Sequence, residues 1–359
     1  MRACLRFAVV LAAAAALCAA ADPSLMKLVM PEARLISGFN FSQVLASPIG
    51  QFALSQMQGE SPEFQAFVTT TGFDPRRDLR EVLIASTGGP NAAPSALVLI
   101  RANFESARVV DLAKKHGATM RQYRGVPVLT GGPRGAINLT PQRQQKSEGW
   151  VAFLENTIVV LGDAASVRGA IDRRGAGSNV NPRLAARVNE LSGLYDFWGV
   201  SMIPAAEWAG AVPSEQVGGA IKGDVFRGIE EASGGIRLGN DIEITGEAVM
   251  RSEKDATALA DVARFLTGLV TMNQNDPKAA EVAKFLQSME LKTEGNTVRM
   301  SLRIPEADVE KMILSAKQQR KSRQAGGAHP AVPRTPREDS GDVIIHSSPK
   351  DMGTVVIKQ

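Results

Sequence analysis

Residues 150–175 read WVAFLENTIVVLGDAASVRGAIDRRG. Trp150–Leu154 and Thr157–Leu161 are short apolar, β-prone runs, and Glu155-Asn156 between them has the length of a tight hairpin turn. Asp163 stands where a helix N-cap belongs, because its carboxylate accepts the unpaired N–H groups of a first turn. The helix AASVRGAIDRR then stops at Gly175. The same unit recurs later in the chain. Glu290–Thr293 and Thr297–Ile304 make a second hairpin around Glu294-Gly295-Asn296, and Pro305 opens a closing helix, EADVEKMILSA.

Outward from these hairpins, one order of elements is written twice. Ala33–Gly38 is a strand, followed by a helix through FSQVLASPIGQFALSQM, interrupted near Pro48. Arg80–Thr87 and Ala96–Arg101 are strands, and Asn103 caps the helix FESARVVDLAKKH, which ends at Gly117. In the second half Tyr195–Ile203 is the opening strand, with a short helix after Pro204. Gly235–Leu238 and Ile242–Arg251 are the middle strands. Ser252 caps EKDATALADVARFLTGLVTM with Asp255 as its capping-box partner, and a further helix spans Ala279–Met289. Matching features lie 161 residues apart at Arg34 and Tyr195, 150 at Arg101 and Arg251, and 139 at Glu155 and Glu294. A duplication that lost loop residues in its second copy behaves this way; so does a chance likeness of two common layouts.

Each half therefore reads β-α-β-β-α-β-β-α. The expected fold class is α+β: two tandem halves with mostly antiparallel sheets, covered by helices on one face. One larger sheet shared between the halves is the variant. In the helix after Ser252, Leu259, Val262, Ala263, Leu266, Leu269 and Val270 recur at steps of three and four, a stripe for packing on a sheet. A lipid- or partner-binding helix carries the same pattern.

The 359 residues exceed what one hydrophobic core usually serves, and at 44% apolar the chain can bury large cores. Residues 1–21, MRACLRFAVVLAAAAALCAAA, place Arg2 and Arg6 ahead of an apolar run and end in small residues before Asp22, the three-part logic of a secretory signal peptide. An uncleaved anchor is the alternative, although the run is short for a membrane span. The expected organisation is thus a signal peptide at 1–21, a first α+β domain at 22–192, a second at 193–317, and a disordered polar tail at 318–359. Val343–Ile345 and Thr354–Ile357 in that tail are short β-prone runs that a partner could capture by strand addition. The expected localisation is export to the periplasm or beyond, with no stable membrane span after cleavage.

Both cysteines, Cys4 and Cys18, lie within the signal segment. A chain from Asp22 onward has none, which excludes disulfides, thiolate nucleophiles and thiolate metal sites. Removing Arg2 and Arg6 takes Lys+Arg from 41 to 39 against 37 acidic residues, a net charge of +2, so the sequence pI of about 9.1 is no nucleic-acid signal. Aromatics at 5% argue against a base-stacking platform.

The chemistry is thin. His116 sits at a helix C-terminus, where a cation complements the dipole, and His329 and His346 fall in the tail. There is no HExxH, GxSxG, Walker loop or GxGxxG opening a helix, and no cofactor is expected. Ser24–Lys27 and Ser347–Lys350 match SxxK at two positions each, in contexts unsuited to a buried nucleophile. Gly131–Gly135 holds an arginine but precedes a strand, AINL, rather than the helix N-terminus that makes phosphate loops effective. Asp241, Glu243 and Glu247 alternate along one strand face and offer oxygen ligands for a hard cation or carboxylates for a hydrolase. Arg299, Ser301 and Arg303 on the hairpin strand face the other way in charge, which also fits a solvated sheet face with cross-strand ion pairs. Trp198 and Trp208, with Tyr195, Phe197 and Trp150, concentrate the few aromatics and line either a cleft or a core.

ISGFNFSQVLASPIGQ, ALVLIRANFESARV and VAFLENTIVVLGDAASVRGAID resemble a loose class of secreted proteins from soil bacteria, in which a strand leads to a helix carrying Ser-Pro-hydrophobic-Gly and a later hairpin leads through Gly-Asp into a helix. Here these are Ser47–Gly50 and Val159–Asp163. The resemblance covers the first half and implies export without implying an activity. The function expected from all of this is a non-catalytic binding or scaffolding protein of the cell envelope, for a protein or apolar small-molecule partner. A carboxylate hydrolase and a carrier of an apolar ligand are the alternatives.

Overall fold

The computed structural model describes residues 21–56, 62–88, 95–131, 149–155, 157–177, 179–207, 224–272 and 283–326. Among the described residues, twelve strands form a single antiparallel sheet. In chain order they are β1 (Leu35–Asn40), β2 (Leu79–Ser86), β3 (Ala96–Ala102), β4 (Thr119–Tyr123), β5 (Val126–Thr130), β6 (Trp150–Leu154) and β7 (Ile158–Gly162), then β8 (Phe197–Ser201), β9 (Ile229–Leu238), β10 (Asp241–Met250), β11 (Glu290–Glu294) and β12 (Thr297–Pro305). Their order across the sheet is β11-β12-β10-β9-β8-β1-β2-β3-β7-β6-β5-β4.

The seam is the antiparallel pair β1–β8, in register from Leu35↔Ser201 to Phe39↔Phe197. Moving outward from it, β1-β2-β3-β7-β6 on one side mirrors β8-β9-β10-β12-β11 on the other, so the two halves share one strand order. The hairpin β4–β5 extends the first half, and its turn uses positive φ at Arg124 and Gly125, the backbone that a two-residue turn needs. No such hairpin stands between β10 and β11 among the described residues, which fits the shrinking offset along the sequence. The sequence reading placed no strands at β4 and β5, because Thr119–Tyr123 is almost wholly polar and exposed.

The halves make one continuous sheet rather than two, and through Ile313 the described residues belong to one compact unit. The boundary expected at 192/193 falls within the last turn of a helix at Pro182–Leu194.

Helices, expected on one face, lie on both. On the first face α1 (Pro23–Met26), the helix Ala164–Ala176 and the helix Pro182–Leu194 cover Ile36, Leu83, Leu97, Leu99, Ala152, Val160, Trp198 and Val200. The alternate residues Leu129, Val151, Phe153 and Val159 point to the second face, where Val110 of the helix Ser106–Lys115 packs on them. The helix Glu253–Met272 lies on that second face in the other half, through Ala256, Leu259 and Ala260 against Ala248, Met250 and Val298. Thus the helix after the third strand of each half covers the same side of the sheet. In chain order, further helices among the described residues are α2 (Phe41–Ala46), α3 (Pro48–Gln56), α4 (Pro62–Thr71) and α5 (Pro75–Asp78), then α6 (Ser106–Lys115), α7 (Ala164–Ala176), α8 (Pro182–Leu194), α9 (Asp224–Arg227), α10 (Glu253–Met272) and α11 (Glu306–Gly326), and residues 283–286 are helical within the stretch expected as a helix at Ala279–Met289.

Local chemistry sets the element ends. Asp163 accepts from the Ala165 and Ser166 nitrogens, both at 2.9 Å, and from the Ser166 hydroxyl. Ser252 accepts from the Asp255 nitrogen at 3.1 Å. The expected cap at Asn103 is displaced: α6 starts at Ser106 and has no side-chain cap at Glu105. Pro305 ends β12 instead of opening the helix, and α11 runs to Gly326, into the stretch expected to be disordered. The residues beyond it, like 1–20, lie outside those described. Of the stripe on α10, Leu259, Val262, Ala263, Leu266 and Val270 are partly buried and Leu269 is 55% exposed, while Phe265 and Met272, outside the stripe, are 61% and 85% exposed. Among the described residues no helix is long and apolar enough to cross a membrane.

Candidate functional site

At the seam, the second face of the sheet carries an open apolar trough of about 440 Å³. The register explains it. Val82, Phe39, Phe197, Ile236 and Ile244 stand opposite one another on five consecutive strands and form one wall. Phe39 and Phe197 stack with ring centroids 4.2 Å apart, and Phe41 at the start of α2 meets Phe39 edge-on. The next row along the strands is Ile84, Ser37, Gly199, Gly234 and Gly246. Four small residues in a row leave a floor without side chains, and Ile84 at its end is 40% exposed. A Cβ at Gly199 would meet nothing closer than the Ser37 Cβ at 3.6 Å, and at Gly246 nothing closer than Met300 Cε at 3.6 Å. The trough is thus a place where the sheet omits side chains.

The opposite face of the second half is charged. Glu243 and Glu247, with Thr245 between them, lie across from Arg303, Ser301 and Arg299 of β12. Glu243 presents one oxygen to Arg303 at 3.1 Å and the other to Arg237 of β9. Glu247 presents one oxygen to Arg299 at 2.8 Å and the other to Arg187 of α8 at 3.2 Å. Each oxygen of both carboxylates faces a guanidinium, so a cation would have to displace an arginine to bind there. Asp241 sits at the exposed start of β10 opposite Pro305, apart from this network. Among the described residues no group of three potential ligands is placed to hold a metal.

The aromatic residues do not gather in one cleft. Trp198 is 5% exposed in the first-face core and lies over Gly38, where an added Cβ would overlap its ring. Tyr195 covers Gly235 in the same way, while Phe197 belongs to the trough wall. Trp150 is buried on the far side of the first half beneath Arg168, whose guanidinium lies 4.6 Å from the ring. Trp208 lies outside the described residues. His116 is the C-cap of α6, as its position in the sequence suggested.

A polar cluster that the sequence reading missed lies at the edge of the first-face core. Glu81 shares that face with Leu83 and Ala85, and Arg101 shares it with Leu97 and Leu99. The signal was available: in both strands a charged residue falls in the period-2 apolar row. The Asp22 backbone N–H donates to both Glu81 oxygens, at 3.2 and 3.3 Å. Arg101 donates to Asp22 Oδ2 at 2.7 Å, Thr157 Oγ1 at 2.9 Å and Ser24 Oγ at 2.9 Å. Burial pushes the Glu81 carboxyl up to about 7, against the opposing hydrogen bond from Asp22. Burial also acts on Asp22, but its hydrogen bonds with Ser24 and Arg101 outweigh it and hold that carboxyl below the ordinary range.

No family model, curated protein or solved structure matches the chain.

Proposed function

We propose that this is an exported, non-catalytic binding protein of the cell envelope, built by internal duplication, which holds an apolar ligand in the seam trough. The observation that carries the reading is the trough itself: an apolar wall on five strands beside Ser37 and Gly234, which line it in a row that Gly199 and Gly246 continue by register. Exposed apolar surface of this kind costs solubility, and small-molecule sites have this form, concave and mostly apolar with few polar groups. A volume of about 440 Å³ lies in the range of such sites. The shared strand order on either side of β1–β8 supports duplication, and the seam is where the two copies meet. The resemblance of the first half to secreted soil-bacterial proteins and the leader-like residues 1–21 support export. The guanidinium partners on Glu243 and Glu247 favour an ion-paired surface there over a hydrolytic carboxylate pair.

The test is titration of the protein with a neutral apolar fluorophore, comparing it with Gly199→Val. A valine there stands between Ser37 and Gly234 of the trough, suits a strand, and its Cβ meets nothing nearer than the Ser37 Cβ at 3.6 Å. Affinity should fall by roughly tenfold or more, the cost of losing about 1.4 kcal/mol of apolar contact, with folding unchanged by circular dichroism. Equal affinity in the variant would remove the trough as the binding surface.

A further inference from the structure

We propose that Asp22 is the amino terminus of the exported chain, and that the α-ammonium created there docks on the Glu81 carboxylate at the rim of the sheet. The proposal rests on the export reading and adds a receiving site within the fold. Hydrolysis of the Ala21–Asp22 peptide bond places the hydroxyl of water on the Ala21 carbonyl carbon and its hydrogen on the Asp22 nitrogen. That amine takes up a proton at neutral pH. Ala19, Ala20 and Ala21 supply the small residues that a leader-removing protease accepts before the bond it cuts.

The geometry is that of an ammonium site occupied by a neutral N–H. The Asp22 nitrogen is centred on the carboxylate, 3.2 Å from one oxygen and 3.3 Å from the other, longer than a charge-assisted contact of about 2.7–2.9 Å. Glu81 stands partly buried at the end of the apolar row of Leu83 and Ala85, where a carboxylate calls for a cation. The charged groups that face it are Asp22 and Arg101, and Arg101 of β3 directs its nitrogens to Asp22, Thr157 and Ser24. From β1, the residue opposite in register is the neutral Asn40. From α8, Ser192 takes the Ala21 nitrogen at 2.8 Å. Asp22 itself is pinned at its side chain by Arg101 and by the Ser24 nitrogen, so its backbone nitrogen is held at Glu81 after the bond is cut. Ala21 is only 5% exposed, which places hydrolysis before the sheet closes, as export through a membrane provides.

Two measurements test this. The full-length precursor is expressed in an exporting bacterial host, and the exported chain is analysed by intact mass and amino-terminal sequencing. A first residue of Asp22 is expected. An exported chain that begins elsewhere overturns the Asp22 assignment alone, whereas a chain that keeps residues 1–21 wherever it is found overturns the export reading as well. In parallel, residues 22–359 released from a cleavable fusion with a free amino terminus are compared with the same chain Nα-acetylated. With the ammonium present, the melting temperature should hold or rise slightly as pH drops from 7.5 to 5 and should fall only below about 4.5, because the paired Glu81 carboxylate keeps its charge down to its unfolded value. With the acetyl group it should rise over that range, because a partly buried carboxylate without a cation is relieved by protonation. Glu81→Gln should flatten this difference. Parallel pH profiles for the free and acetylated chains overturn the docking.

Discussion

Gly38 and Trp198 lie opposite each other in the ladder that joins the two halves, and the tryptophan ring covers the glycine. Gly38→Ala puts a methyl group into three ring atoms of a tryptophan that is 5% exposed. No positive φ is required at this position, so alanine carries no backbone penalty, and its smaller unfolded-state entropy contributes about 0.4–1 kcal/mol in its favour. Overpacking of a close-packed core costs roughly 1–3 kcal/mol, more where the neighbour cannot turn, so a net loss of about 1–2 kcal/mol is expected. Trp198→Ala alone should cost about 3–5 kcal/mol through the cavity it leaves. In the double variant the new methyl group occupies part of that cavity, and the total should fall short of the sum by about 1 kcal/mol or more. Urea denaturation followed by far-ultraviolet circular dichroism measures all three without relying on tryptophan fluorescence. Because β1 and β8 are neighbours in one sheet, each variant should still unfold in a single transition up to Ile313. A Gly38→Ala variant within about 0.5 kcal/mol of the parent, or an additive cycle, would refute the packing described at the seam.

Other expectations follow from the same geometry. While the Ala21–Asp22 bond is intact, Glu81 titrates near 7 in the folded chain and near 4.5 when unfolded, so the folded state binds the extra proton between those values. Stability should then decline as pH rises through about 4.5–7, by roughly 1–3 kcal/mol after allowance for partial exposure, and Glu81→Gln should abolish that slope in pH-dependent thermal melts. Glu243→Gln with Glu247→Gln should cost only about 0.5–2 kcal/mol in total, because the arginine partners Arg299 and Arg303 are more than half exposed. That cost should shrink between 0.05 and 0.5 M salt in chemical denaturation, roughly a threefold drop in Debye length; a loss independent of salt would argue that the carboxylates do something besides pairing with arginine. Asp163→Ala removes the acceptor for two backbone N–H groups and the Ser166 hydroxyl at the start of α7, and should cost about 1–2 kcal/mol by calorimetry, recovered in part by Asp163→Asn.

Much of the layout was legible because it is local. The hairpin at Glu155, the Asp163 and Ser252 caps, and the strand at Arg80–Thr87 depend on neighbours within a few residues, and each appears within a residue of where the pattern put it. The β4–β5 hairpin escaped because its outer strand is mostly polar and exposed, and α8 because no element was assigned between Gly175 and Tyr195, where Asn181 caps it. Of the candidate site, Glu243 and Glu247 could be placed on one strand face from spacing alone. Their arginine partners on β9, β12 and α8 come from three separate parts of the chain.

Strand alternation and capping, then, are properties the sequence carries by itself, since side-chain direction reverses with each residue of a strand and a cap needs only the next turn. Which strand lies beside which is decided by the whole chain. Spacing could not show that β1 pairs with β8 to make one sheet from two similar halves, because that pairing joins residues about 160 positions apart and depends on a tryptophan finding a glycine. The trough exists for the same reason. Ser37, Gly199, Gly234 and Gly246 are unremarked small residues in sequence, and become a floor only when the register of four strands brings them into one row.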